Sequence, residues 1–181
     1  MKPWRTLASV PVTGDRWLKL TADRCELPDG HIVEPYYVLH DRDWVHVFAQ
    51  ADDGRVLVVR QFRYAAGAVC VELPGGVVDP GEDPLVAARR ELLEETGYTA
   101  NEWRPAGRMY ANPARQTISV HVLLAGGLRQ VAAQKLDEAE NLEFEFASIA
   151  DLHLMIDQPQ VGFTASHYTP QTRANAGDWD S

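Results

Sequence analysis

The 181-residue chain has two cysteines, Cys25 and Cys70. That is too few for a disulfide framework or a cysteine-rich zinc cluster, so a reducing compartment, the cytoplasm, is expected. No apolar run approaches the roughly 20 residues that span a bilayer. The opening stretch MKPWRTLASVPVTGDRW also lacks the apolar centre of a signal peptide. Basic residues are scarce, 17 Lys and Arg against 26 Asp and Glu, a net charge of −9. This balance argues against a nucleic-acid or membrane-surface partner, and it means that an anionic ligand needs a cation placed locally. The six histidines (31, 40, 46, 121, 153 and 167) follow no metal-ligand spacing. Repeats and low-complexity blocks are missing as well.

What is present is an alternating, mixed α and β chain with an ordinary apolar content of 45%. WLKLTADRCEL (17–27), HIVEPYYVLH (31–40) and WVHVFAQ (44–50) alternate with period two, and the turn signals PDG and DRD separate them, as in antiparallel strands. Asp53-Gly54 predicts a hairpin into RVLVVRQF. AVCVEL (68–73) adds a short strand ahead of a glycine-rich loop. A helix is expected at about 84–96, capped by Asp83, started by Pro84 and stopped by Gly97. Beyond it, WRPAGRMYA, QTISVHVLLA and LEFEF read as strands and SIADLHLMI as a short helix. The polar tail has no periodicity.

The helix poses a problem. About 100° per residue puts Glu91, Glu94 and Glu95 within roughly a 100° arc. Leu85, Ala88, Leu92 and Thr96 fall on a neighbouring arc that can pack on the sheet. Like charges at this spacing repel, and Arg90 is the one basic residue near enough to offset them. A solvated charged face is the plain alternative for a pair of glutamates. Three on one face, with no Cys or His beside them, suit a hard cation with oxygen ligands, Mg²⁺ or Mn²⁺, which shares itself with phosphate.

Gly76, five residues, Glu82, seven residues and then RELLEETGY (90–98) resemble the signature of the Nudix hydrolases, with Tyr98 aromatic where the family prefers an aliphatic residue. The resemblance implies an α/β/α sandwich around a mixed sheet, preceded by an N-terminal antiparallel β-region. It also implies hydrolysis of a nucleoside diphosphate linked to another moiety, X. By the same resemblance Glu91, Glu94, Glu95 and the Gly75 carbonyl would bind divalent metal, with Glu82 and Arg90 bracing loop and helix.

The flanks resemble the ADP-ribose pyrophosphatases. Pro113, in YANPARQ, stands where that subfamily places a proline, and Arg63 matches its phosphate-binding arginine. LDEAENLEFEF resembles its acidic loop, with Glu138 as the base that activates water and Glu140 as an extra metal ligand. The subfamily dimerises through its N-terminal strands and builds part of each pocket with them, so a homodimer is expected. The implied division is 1–43 for the β-region, 44–160 for the hydrolase domain and 161–181 for a tail. Two features depart from the subfamily. An acidic residue after the proline is missing in NPARQTIS, and QVGFTASHYTPQ replaces a C-terminal helix. The favoured substrate is ADP-ribose or a nucleotide sugar. NADH, dinucleoside polyphosphates and modified nucleoside triphosphates are alternatives, as is a non-catalytic sensor that binds ADP-ribose. Trp17, Trp44 and Tyr64 could stack on a base or simply pack.

Overall fold

The computed structural model describes residues 1–137 and 140–156; Glu138 and the tail from residue 161 lie outside the described residues. Three strands form a separate antiparallel sheet in the order β1-β2-β3: β1 (Arg5–Gly14), β2 (Lys19–Glu26) and β3 (Ile32–His40). β2 and β3 are the first two alternating segments, joined at the expected turn, where the Gly30 N–H donates to the Leu27 carbonyl. β1 is an addition that alternation does not announce. Its register against β2 shifts between Thr6 and Ala8 and again between Pro11 and Thr13, which breaks the period of two. Pro11 is tolerated because β1 is an edge strand.

The larger sheet is mixed. β4 (Trp44–Gln50), β5 (Val56–Arg63), β6 (Ala68–Glu72), β7 (Tyr98–Tyr110) and β8 (Ser119–Gln130) run in the order β6-β5-β4-β8-β7, and β9 (Leu142–Ala147) pairs with β5. β4 and β8 are parallel. The Asp53-Gly54 hairpin forms as expected, closed by the Ala51 N–H on the Arg55 carbonyl at 2.9 Å. β7 starts directly after the helix cap, earlier than WRPAGRMYA suggests. Thr99 and Ala100 pair with Arg129 and Leu128 at the sheet's end.

Among the described residues two helices complete the sandwich, α1 (Pro84–Thr96) and α2 (Ile149–Ile156). Asp83 accepts the Leu85 N–H, Pro84 opens α1, and Gly97 closes it at φ 73° with its N–H on the Leu93 carbonyl, as the capping residues dictate. Alternation along the strands sends side chains to opposite faces. Val45, Val47, Ala49 and Leu57 pack with Ala87, Ala88 and Leu92 of α1, while Val56, Val58 and Val71 pack with Leu152 of α2. Fully burying Leu92 alone contributes about 2 kcal/mol of transfer free energy. The chain is thus a helix–sheet–helix sandwich, and α1 is pressed onto β4 with its acidic residues at the margin of the core.

Candidate active site

The floor of the site is a loop stitched to β4. The N–H groups of Val45 and Val47 donate to the carbonyls of Gly76 and Pro74, each at 2.8 Å, and the Val78 N–H donates to the Asp43 carbonyl at 2.9 Å. Residues 74–78 therefore lie along β4 like part of a strand. A Cβ on Gly75 would run into the Val45 carbonyl, and one on Gly76 into the Glu91 carboxylate. Close approach, and not an unusual φ, makes both positions glycine.

α1 brings its acids to this floor. Glu91 is 8% exposed and Glu95 4%. The Gly75 N–H donates to Glu95 Oε2 at 2.8 Å. Burial pushes the Glu95 carboxyl up to about 8; the nearby charges of Glu91 and Glu140 add to this, and the Gly75 hydrogen bond opposes it. Burial raises Glu91 too, against the pull of Arg90.

The cluster is less bare than the helical arc suggests, which corrects one expectation. Arg90 Nη1 reaches Glu91 Oε1 at 2.7 Å and Glu94 Oε2 at 3.3 Å, so one guanidinium touches two of the three acids. Its Nη2 donates to the Val77 carbonyl at 3.0 Å and to Glu82 Oε2 at 3.1 Å. Glu82 also accepts the Asp79 N–H, and the Arg90 hydrogen bond holds its carboxyl below the usual range. Glu82 and Arg90 thus brace the loop against α1.

A cavity of about 330 Å³ opens above, walled by Gly75, Gly76, Glu91 and Glu95 on one side and by Asp137 and Glu140 on another. Asp137 and Glu140 clasp each other, N–H to carbonyl and N–H to carboxylate, both at 3.0 Å. Glu94 is not on this wall; its side chain is 42% exposed. Among the described residues no three His, Cys, Asp or Glu side chains converge closely enough to cage a metal ion. The acids are instead held by Arg90, by the Gly75 N–H and by each other. The donor set still fits a divalent cation: oxygen ligands only, a buried carboxylate that burial tends to protonate, and glycines that leave room beside it.

Arg63 lies on the wall of the same cavity, but it is not free. Its Nε donates to Glu72 Oε1 at 3.0 Å and its Nη2 to Glu72 Oε2 at 2.5 Å, and Glu72 is 2% exposed. Pro113 is on neither this wall nor that of the neighbouring cavity. It occupies an exposed turn in which the Asn112 carbonyl accepts from Arg115 and Gln116, and that turn is tied to β3 by the Leu39 N–H on the Arg115 carbonyl at 2.8 Å. Glu138 is outside the described residues. Sequence reasoning passed over His46 and Glu72, and it left Trp17 and Trp44 undecided. Trp17, at the β1–β2 turn, and Trp44 both line the carboxylate cavity. Alternation along β4 puts residues 44 and 46 opposite the α1 face, a usable signal once the strand order is known. Among the described residues no helix is long and apolar enough to cross a membrane.

A NUDIX domain model matches residues 40–166, and a model of the nucleoside diphosphate sugar hydrolase N-terminal domain matches residues 4–39. The chain is 32% identical over 168 residues to an ADP-ribose pyrophosphatase of Bacillus subtilis (strain 168), covering 92% of this chain and 90% of that one. It is 33% identical over 137 residues to a methanol dehydrogenase activator of Bacillus methanolicus, with 75% and 74% covered. An ADP-ribose pyrophosphatase of Mycobacterium tuberculosis (strain ATCC 25618 / H37Rv) matches at 33% over 138 residues, 76% of this chain and 66% of that one. A crystal structure of an ADP compounds hydrolase shares the fold, with a TM-score of 0.77 at 22% identity over 88% of this chain and 86% of that one.

Proposed function

The chain belongs to the Nudix hydrolases, and from that premise we propose that it cleaves the pyrophosphate of ADP-ribose or a close nucleotide sugar, releasing a nucleoside monophosphate and a sugar phosphate. The observation that carries the reading is the meeting, at one cavity, of Glu91 and Glu95 of α1, of Asp137 and Glu140, and of the half-buried Arg63. In this reading Glu91, Glu94, Glu95, Glu140 and the Gly75 carbonyl hold Mg²⁺ or Mn²⁺. Divalent metal, when bound, supplies the charge that neutralises a pyrophosphate and acidifies a water.

The chain's own groups do the rest. Glu82 and Arg90 fix the loop and α1, so that Gly75 and Glu95 keep their relation. Glu138 takes the proton of the attacking water as the P–O bond to the leaving phosphate breaks. Arg63, oriented by Glu72, lends positive charge to the diphosphate. Trp17, with Arg16 stacked 4.6 Å from its ring centre, offers a flat face at the cavity wall for the base.

With Mg²⁺ present, ADP-ribose should be hydrolysed with a higher kcat/KM than any nucleoside triphosphate, and Glu138→Gln should lower kcat far more than it raises KM. Steady-state kinetics across a panel of nucleoside diphosphate derivatives and triphosphates test this. Triphosphates winning that comparison would remove the substrate reading.

The β1–β3 sheet supports assembly into a homodimer. Leu7, Val10 and Val12 of β1 and Ile32 and Tyr37 of β3 are exposed apolar side chains on this sheet. Light scattering is expected to give twice the mass of one chain. A fully active monomer at assay concentration contradicts this.

A further inference from the structure

Among the described residues the carboxylate cavity has three arginines on its wall, Arg42, Arg63 and Arg90. Two of them are already committed. Arg63 stands between this cavity and a neighbouring one, where Trp44 and His46 lie, and its Nε and Nη2 are bound to Glu72, which is 2% exposed. Arg90 is shared among Glu82, Glu91, Glu94 and the Val77 carbonyl. Drawing either guanidinium away would strand a carboxylate that is largely out of water.

Arg42 differs. Its Nη1 donates to Asp79 Oδ1 at 3.0 Å, and both side chains are open to solvent, 39% and 60% exposed. An exposed pair of this kind holds weakly, so the arginine can exchange its partner at little cost. The root of the side chain is nevertheless fixed. The Arg42 N–H donates to Asp41 Oδ1 at 2.7 Å, and the next residue, Asp43, accepts the Ser119 N–H at 3.0 Å and lies 2.9 Å from His121 Nε2. The Asp43 carbonyl also takes the Val78 N–H. The backbone that carries Arg42 is thus clamped to β8 and to the 74–78 loop, and exchange is confined to the tip of the side chain.

We propose that Arg42 is a diphosphate-binding residue: when substrate enters, its guanidinium leaves Asp79 and pairs with a phosphate oxygen. The inference rests on the hydrolase reading above and adds to it a binding residue that neither the signature nor its flanks assign. The charge on the wall calls for one. Asp79, Glu91, Glu95, Asp137 and Glu140 line the same cavity, more acids than arginines, and a diphosphate brings further negative charge. Divalent metal, when bound, offsets part of it. A guanidinium suits the rest, because its fork matches phosphate oxygens and the carboxylate it gives up is one that water can cover.

The two members of the pair are then expected to behave oppositely, which a merely structural clasp would not show. With Mg²⁺ and ADP-ribose, Arg42→Ala should raise KM about tenfold or more while kcat changes less than about threefold, and Arg42→Lys should recover part of the loss. Asp79→Asn takes away the competing carboxylate and should lower KM, by up to about fivefold. Titration calorimetry with ADP-ribose in EDTA reads the same order of affinities without turnover. Thermal melting identifies a variant that fails to fold; Arg42→Lys and Asp79→Asn, with opposite expected shifts, carry the test if Arg42→Ala does not fold. The expected order of affinities with no hydrolysis under Mg²⁺ or Mn²⁺ would remove the hydrolase reading and keep Arg42 as a phosphate ligand, whereas absence of both binding and hydrolysis overturns both. An unchanged KM in Arg42→Ala, or a rise in KM in Asp79→Asn that parallels it, overturns the proposal alone.

Discussion

Glu95→Gln is expected to lower turnover at least about 100-fold with Mg²⁺ while leaving the fold intact. The amide oxygen can still accept the Gly75 N–H at the position where Glu95 Oε2 now does, so the loop keeps its anchor. What is lost is the negative charge that would hold a divalent cation. The same variant has a second signature, read without substrate or metal. The ordinary glutamate value is 4.5, and burial pushes the folded one to about 8. Between these values the folded chain binds a proton that the unfolded chain has released, so the metal-free protein loses stability as pH rises from about 4.5 to about 8. Glu95→Gln removes this loss, and saturating Mg²⁺ should offset it in the wild type. Melting temperatures of both proteins across this range provide the test. Parallel curves would mean that Glu95 is not the buried acid, and unimpaired turnover at limiting metal would remove it from the site.

Arg90→Ala should cost about 2 to 3 kcal/mol, a fall in melting temperature of roughly 5 to 10 °C. Arg90 is the common partner of Glu82, Glu91, Glu94 and the Val77 carbonyl. Its removal leaves Glu91, already raised by burial, without a counter-charge. The loss should be partly recovered by millimolar Mg²⁺, because a cation can take over the Glu91 and Glu94 carboxylates that Arg90 now bridges. Differential scanning calorimetry with and without MgCl₂ distinguishes this from a simple packing defect, which metal would not repair. An unchanged melting temperature would show that the bracing is a surface ion pair of little weight.

Much of this was legible in the sequence because the relevant signals are local. Asp83, Pro84 and Gly97 fix the ends of α1 through backbone hydrogen bonds made within a turn, and the spacing within RELLEETGY places its acids without any tertiary knowledge. β1 was not legible, since two register shifts erase its alternation and its support comes from β2. The neutralising reach of Arg90 was partly seen: a contact at i+4 is implied by helical geometry and the brace to Glu82 by the resemblance, but the contact to the Val77 carbonyl needs the loop to fold back. The resemblance makes Arg63 a phosphate-binding arginine but says nothing of its partner Glu72, which becomes a neighbour only through the pairing of β5 with β6. His46 gave no signal at all, because a lone histidine in an alternating strand looks like packing until the opposite wall of its cavity is known.

The stitching of residues 74–78 to β4 has a consequence for how the enzyme is lost. Val45 and Val47 lie at the centre of the core with no exposure, and their backbone amides are the ones that hold the loop. Those amides can open only when the central strand itself opens, so the loop belongs to the last cooperative unit to melt. A partly unfolded chain that keeps its core keeps its catalytic floor, and one that loses the floor has lost the core. Active-site competence and global unfolding are thereby fused into a single transition, which leaves little room for a folded but siteless form to accumulate under stress.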